Sequence, residues 1–435
     1  MENALPVAMA ATLLAAILAG YRVAFALAGT AALFILVSDL PQAFFKLIVS
    51  RIYANVLSNW LLVAIPMFIF MGLVLEKSGV AERALRGAQS ALGGTPAGMG
   101  VAVLVVGVLL AASSGIVGAS VVLLALLALP RLREAGYDRP TSAGLVASSG
   151  TLAILIPPSV MLIVLGDQLS APVPAMFAGA IGPGLLLVAL YGVYVAIRAR
   201  RLPRAALATA RPPAWRIALD VLPLVILVVA VLGSIIGGIA TPTEASGLGA
   251  AGALLVAALY RRFSLSMMMS AARDTVVATS MVLLVMIGAT CFSAVFRGIG
   301  GDDMIRDAMI ALGGDPWTIL LVVMAVIFLL GFVLDWLEIT LILIPIFGPL
   351  IASLDFGNGL EGDMVIVWFG ILVAVNLQTS FLTPPFGFSL FYLKGATGGA
   401  IPTTEIYRGV VPFILIQLLA LGLIVAFPGI VTAIV

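Results

Sequence analysis

Apolar residues dominate this chain, and polar residues gather in short connections between apolar runs. Runs long enough, or nearly long enough, to cross a hydrocarbon layer of about 30 Å fall at 5–19, 23–37, 61–75, 175–197, 217–237, 243–260, 277–295 and 410–432. Two others, 97–130 and 317–353, are long for one span and interrupted in the middle. The stretch 42–59 carries Lys46 and Arg51 among apolar residues, too polar to span, and is predicted to lie along an interface as an amphipathic helix. The first run has no basic segment before it and no small-residue cleavage site after it, so it is expected to stay as the first span.

Charge sets the frame. Arg198, Arg200, Arg201, Arg204, Arg211 and Arg216 crowd one connection with no acid before Asp220, which marks it as cytoplasmic. Counting back puts Lys77, Arg83, Arg86 and the basic stretch 131–139 on the same side. Counting forward puts Arg261, Arg262 and Arg273 inside and the acid-rich stretches 300–315 and 355–363 outside. Both termini come out periplasmic, in a multi-pass protein of the bacterial inner membrane.

Self-comparison shows two halves on one plan. Ala91-Leu-Gly-Gly-Thr-Pro96 recurs as Ala311-Leu-Gly-Gly-Asp-Pro316, and Arg86 falls on Arg306 at the same offset. Pro157-Pro158 recurs as Pro384-Pro385 at a slightly larger offset, the difference fitting in the longer acidic loop of the second half. An odd number of crossings separates the halves, which predicts inverted-topology repeats. Each interrupted run has both ends on one side and so reads as a re-entrant hairpin, with tips at 113–120 and 333–340. The expected fold is an all-α membrane protein, a multi-span helical bundle of two inverted repeats, each with a hairpin and a discontinuous helix. It divides into 1–60 (first spans and interfacial helix), 61–172 (hairpin 97–130, broken helix 141–169), 173–276 (scaffold spans), 277–398 (hairpin 317–353, broken helix 364–394) and 399–435 (last span).

Composition narrows the chemistry. With 63% hydrophobic and 10% charged residues, no soluble fold fits. The chain has no histidine and one cysteine, Cys291, which excludes an intrachain disulfide, a cysteine-based metal site and a Ser-His-Asp triad. There is no Walker A sequence, no paired nucleophile and base, and a net charge of only +2. ATP hydrolysis, enzymatic chemistry and nucleic-acid binding are therefore not expected. What remains is transport through carboxylates, hydroxyls and backbone. Non-helical backbone at membrane depth persists only where protein or a wet cavity surrounds it, so the tips and breaks are the candidate sites for substrate and ion. They carry Ser113, Ser114, Gly115, Ser120, Ser149, Gly150, Thr151, Pro157 and Pro158 in the first half. The second half offers Asp335, Glu338, Thr379, Ser380, Thr383, Pro384 and Pro385. Taken singly, each hydroxyl reads as bonding back to its own helix; taken as clusters, they read as cation and substrate ligands. Asp335 and Glu338 are the acids placed within the membrane. Asp167 reads as a solvated helix end, and Arg297 and Lys394 as charges snorkelling at span ends.

These blocks resemble the large membrane subunit of tripartite ATP-independent periplasmic (TRAP) transporters, the DctM-like M subunit. The resemblance rests on 113–120 with Leu129-Pro130 and Ala135-Gly-Tyr-Asp138, on Ala147-Ser-Ser-Gly-Thr-Leu152 with Ile156-Pro-Pro-Ser159, on Ala178-Gly179 and Gly182-Pro-Gly184, on 331–335 and on Leu382-Thr-Pro-Pro385. It runs over essentially the whole chain. It implies an elevator-type importer of small organic acids, similar in fold to the ion-transporter superfamily, driven by Na+ as coupling ion with no other cofactor. It also implies a periplasmic substrate-binding protein and a separate small four-helix membrane subunit. Ser113, Ser114, Gly115, Gly331, Asp335, Thr379 and Thr383 would hold Na+, with Ser120 and Ser380 beside them. The tip Ser-Ser-Gly-Ile-Val-Gly-Ala-Ser departs from the family's Ser-Gly-Ser-Ser-Ala pattern, and Trp336 and Glu338 are additions. Proton coupling through Asp335 and Glu338, or a channel or structural membrane subunit, are the competing expectations.

Overall fold

A computed structural model of the chain describes residues 4–38, 40–41, 43–114, 117–203, 213–311, 313–385 and 387–435, with backbone alone at 113, 114, 309 and 310. Every regular element among them is helical. Seven are long and apolar enough to cross a membrane: Trp60–Lys77, Val173–Ala199, Ala214–Ile236, Pro242–Leu259, Leu265–Gly298, Asp363–Leu382 and Thr403–Ala426. The first two expected spans form helices Ala4–Leu18 and Val23–Val37. At 15 residues each they are roughly 22 Å long, short of the hydrocarbon thickness. The amphipathic stretch forms Ala43–Ile52 and a π-helical continuation, Tyr53–Leu57.

Two boundaries differ from expectation for identifiable reasons. The run expected at 277–295 belongs to a 34-residue helix, Leu265–Gly298, because the Ser264 side chain accepts from the Met267 amide and starts it early. The last span begins at Thr403, directly after Pro402, and stops at Ala426 before Pro428, instead of running 410–432.

The two interrupted runs each become a pair of packed helices, Pro96–Ser114 with Val117–Glu134 and Pro316–Leu330 with Trp336–Ala352. Their first helices start alike: the Thr95 hydroxyl accepts from the Gly98 amide (3.1 Å), and Asp315, at the matching position of the repeated block, accepts from the Thr318 amide (2.8 Å). The Thr318 hydroxyl and amide beside Asp315 hold its carboxyl below the usual carboxylate range. The second tip, expected at 333–340, turns instead at 331–335. Asp335 accepts from the Trp336 amide (2.8 Å) and so caps Trp336–Ala352, which leaves Glu338 and Thr340 inside the helix.

Each pair is followed by a helix in two pieces. Arg139–Thr151 and a short 3-10 turn, Leu152–Ile154, break before Val160–Leu169; Asp363–Leu382 breaks before Phe388–Ala396. Pro157–Pro158 and Pro384–Pro385 occupy the breaks, both with cis peptide bonds. A proline has no amide to give the carbonyl four residues earlier. For Pro158 that carbonyl is Ile154 O, and the Ser159 hydroxyl donates to it (2.6 Å). For Pro385 it is Phe381 O, and the Ser389 hydroxyl donates to it (2.7 Å). The breaks are thus stabilised by one serine each.

Packing crosses between halves. Val117–Glu134 packs on Phe388–Ala396, and Trp336–Ala352 packs on Val160–Leu169, so each pair's second helix meets the second piece of the other half's broken helix. Asp363–Leu382 is buried along almost its whole length and forms the core. Arg139–Thr151 crosses Thr403–Ala426 backbone to backbone: a Cβ at Gly144 would stand 2.0 Å from Gly409 O. We expect Ser159→Ala and Ser389→Ala each to cost about 1–3 kcal/mol by stranding a buried acceptor. Thermal unfolding in detergent reads this directly, and an unshifted Tm in both variants would show that the carbonyls do not need these hydroxyls.

Candidate functional site

The two broken helices meet at a hydrogen bond between equivalent positions. Gln378 Nε2 donates to Thr151 Oγ1 (3.4 Å), and 151 and 378 are 227 apart, the interval that separates the two proline pairs. The Thr151 hydroxyl donates in turn to Ser148 O (2.9 Å). Around this contact the polar groups are fully buried and incompletely paired: Ser149 Oγ and Gln378 Oε1 have no hydrogen-bond partner among the described residues. Gly150 and Gly331 permit the approach of neighbours. A Cβ at Gly150 would stand 2.4 Å from Val121, and one at Gly331 2.2 Å from the Ser380 hydroxyl.

The second-half hydroxyls are committed as donors. Thr379, Ser380 and Thr383 donate to Val375 O, Leu377 O and Thr379 O, each at 2.8 Å, the local bonding expected of such residues taken singly. Their oxygens keep lone pairs, so they can still accept a donor or ligate a cation. Asp335 commits one carboxylate oxygen to its cap. Glu338 is buried, and its Oε2 has no partner among the described residues; Thr340 Oγ1 is in the same condition.

A cavity of about 160 Å³ opens between these elements. Val117 and Gly118 from the first pair, Val160 from the first broken helix, Asp335 and Trp336 from the second pair, and Phe381, Phe388 and Tyr392 from the second broken helix line it. Ile69, Ala278, Met281 and Val282, on two long spans, close it. It contains one carboxylate and no basic side chain among its described lining residues.

Of the residues singled out from sequence, the structure brings Asp335 to this cavity. Ser149, Thr151, Thr379, Ser380 and Thr383 belong to the broken helices around it without lining it. Ser120 is buried but borders a separate cleft with Gly72 and Glu76. Ser113 and Ser114 end their helix with side chains outside the described atoms, and Gly115 lies outside the described residues. Pro157 and Pro158 are buried, while Pro385 is exposed and its carbonyl accepts from Tyr407 (3.0 Å). Sequence reasoning missed Gln378, Ser389 and Tyr392. Adding the proline interval to Thr151 would have found Gln378; nothing local marked the other two.

Two charges depart from expectation. Asp167 is not a solvated end: Asn59 Nδ2 donates to it at 2.6 Å and Gln168 Nε2 at 2.9 Å. Arg297 does not snorkel freely. Its guanidinium donates to Pro345 O, the carbonyl that Pro349 leaves without an amide.

A family model described as the DctM component of the tripartite ATP-independent periplasmic transporter matches residues 10–430. The C4-dicarboxylate TRAP transporter large permease DctM of Pseudomonas aeruginosa is 30% identical over 382 residues, 86% of this chain and 85% of that protein. The 2,3-diketo-L-gulonate large permease YiaN of Escherichia coli is 27% identical, covering 88% of each chain. The sialic acid permease SiaT of Haemophilus influenzae is 26% identical over 86% of this chain, which spans 60% of SiaT's length. Among solved structures, the YdaH transporter of Alcanivorax borkumensis shares the fold, with a TM-score of 0.62 over 89% of both chains at 15% identity. A family match over nearly the entire length, on a chain whose described residues form only helices, seven of them able to span a membrane, makes this protein a member of the DctM family, the large permease subunit of TRAP transporters.

Proposed function

We propose that this chain imports a small organic acid across the bacterial inner membrane by Na+-coupled secondary transport. A periplasmic binding protein delivers the acid, and a small four-helix membrane subunit completes the permease. The observation that carries the coupling is the lining of the central cavity. Asp335 faces it and no lysine or arginine does among the described residues. An organic anion entering alone would meet a like charge, a repulsion of about 4 kcal/mol at roughly 4 Å separation and an effective dielectric near 20. A co-bound cation offsets both charges at once. The nearby hydroxyl and carbonyl oxygens, with Asp335, are the hard donors that such a cation takes.

Transport follows an elevator mechanism in which the two helix pairs and the two broken helices, with Thr403–Ala426 locked to them at Gly144 and Gly409, slide as one unit against Trp60–Lys77 and Leu265–Gly298. The cavity lies at the boundary between these groups, with Ile69 and Met281 on its scaffold side. The halves are inverted repeats and the pairs re-entrant hairpins. This is supported by the repeated order of elements, the matched caps at 95 and 315, the reciprocal packing and the Thr151–Gln378 contact. A contact between equivalent positions is what a two-fold relation produces on its axis. Both termini are then periplasmic.

A second reading couples protons instead, and the buried Glu338 Oε2, which has no partner among the described residues, favours it. Burial of a carboxylate near a second one, Asp335, is costly unless a cation or a proton accompanies it.

In proteoliposomes holding both membrane subunits with the binding protein outside, collapsing the Na+ gradient is expected to abolish uptake; undiminished uptake rules out Na+ coupling. Thr383→Ala and Ser113→Ala are each expected to raise the Na+ concentration for half-maximal uptake about tenfold, equivalent to about 1.4 kcal/mol. An unaltered Na+ dependence in both removes these residues from the ion site. Uptake driven by a pH gradient in the absence of Na+, and lost in Asp335→Asn, would transfer the coupling to protons.

A further inference from the structure

A second polar cavity, of about 220 Å³, lies beside the central one. Arg51 and Asn55 of the amphipathic segment, Gln168, Thr290, Ser293 and Arg297 contribute its polar lining. It runs on from the central cavity along two helices. On Leu265–Gly298 the central cavity takes Ala278 and Val282, and this one continues with Met286, Ala289, Ser293 and Arg297, a stripe of three- and four-residue steps on one helix face. On Trp336–Ala352, Leu337 lines the first cavity and Leu341, one turn on, lines the second. The two cavities therefore follow one another along the same two helices, about 6 Å apart on each.

Their charges are opposite. The central cavity presents a carboxylate; the second presents two guanidiniums. Arg51 has no ion pair among the described residues. Arg297 gives one arm to Pro345 O and is ion-paired with Asp302 at 3.6 Å from its Nε, which makes no hydrogen bond among the described residues. The acids nearby do not line the cavity: Asp302 lies by the Arg297 Nε, and Asp167 is occupied by Asn59 and Gln168. Asp302 offsets Arg297 from outside the cavity, so the lining keeps the charge of Arg51, unpaired among the described residues, which an anion held between the two guanidiniums would offset. At about 30 Å³ per water, the volume holds roughly seven waters or a small organic acid.

We propose that this outer cavity is an oxyanion site, in which Arg51 and Arg297 hold the carboxylate of a small organic acid one helical turn from the central cavity. The inference rests on the import reading for the direction of travel and for the carboxylate. It supplies a step that the central cavity lacks, since a fixed positive charge desolvates the anion before it meets Asp335 and the coupling cation. Trp336–Ala352 belongs to the sliding unit and Leu265–Gly298 to the scaffold, so the site exists in the arrangement seen here and comes apart when the unit slides.

The test is protection of a cysteine placed in the cavity. Ser293→Cys, in a Cys291→Ser background and in phosphatidylcholine nanodiscs, is alkylated with a maleimide in the presence of succinate or inorganic phosphate. At about ten times its dissociation constant, succinate is expected to slow alkylation about tenfold by mass action. Adding Arg51→Gln, which breaks no ion pair among the described residues, is expected to abolish the protection. Arg297→Gln should do the same, though it also releases Pro345 O, so Arg51→Gln is the deciding variant. Succinate without effect, protection that survives Arg51→Gln, or protection by phosphatidylglycerol nanodiscs alone would each overturn the proposal, the last by assigning the site to a lipid headgroup. No gradient or uptake enters the assay, so its failure is separable from failure of Na+-coupled import.

Discussion

The structure depends on what happens to a backbone carbonyl when a proline removes its amide inside an apolar segment. In hydrocarbon an unpaired carbonyl costs several kcal/mol, so each such oxygen must find a donor. Four do so through side chains. Ser159 meets Ile154 O, Ser389 meets Phe381 O, Arg297 meets Pro345 O, and the Tyr260 hydroxyl meets Leu219 O, orphaned by Pro223. The first two hold open the breaks at the centre of each half. The third ties the second helix pair to the longest span and the fourth joins two scaffold spans. Proline thus acts here less as an interruption than as a source of fixed acceptors, each of which anchors a neighbouring element.

From those anchors follows the arrangement of charge. Breaking both helices near Thr151 and Gln378 concentrates hydroxyls, amides and two acids in a region otherwise made of leucine, valine and alanine. Several of these groups, among them Glu338 Oε2, Ser149 Oγ and Gln378 Oε1, remain without partners among the described residues. A protein interior keeps such groups at a cost, and in a transport protein the cost is offset when an ion or solute arrives. Along the same two helices, the guanidiniums of Arg51 and Arg297 in one cavity are followed by the carboxylate of Asp335 in the next. Under the proposed Na+-coupled import, an organic anion would leave the fixed guanidiniums for a mobile cation held beside Asp335.

Much of this was legible in the sequence. Long apolar runs announce spans because composition alone decides them, and paired Pro-Pro blocks announce breaks because no helix continues through two missing amides. The repeated interval was visible in Ala-Leu-Gly-Gly and recurs physically as the caps at Thr95 and Asp315. The misses share a cause: they are partnerships that the local sequence does not display. Arg297 reads locally as a charge at a span end, and only the fold brings Pro345 O to it. Ser389 and Gln378 carry no local signal, since their roles are set by Phe381 O and Thr151. The expected second tip at 333–340 overlooks the strong N-capping preference of Asp335, which already marks where the helix begins.

The central claim is that the two halves are one plan inserted in opposite directions. It is tested most directly at Arg86 and Arg306, which share the offset of the repeated Ala-Leu-Gly-Gly blocks and are both exposed, with ion pairs only to acids on their own helices among the described residues. In a Cys291→Ser background, Arg86→Cys and Arg306→Cys are treated with a membrane-impermeant maleimide from outside intact spheroplasts. Inversion predicts labelling at 306 from outside and at 86 only after the membrane is opened. Labelling of both from the same side would contradict it.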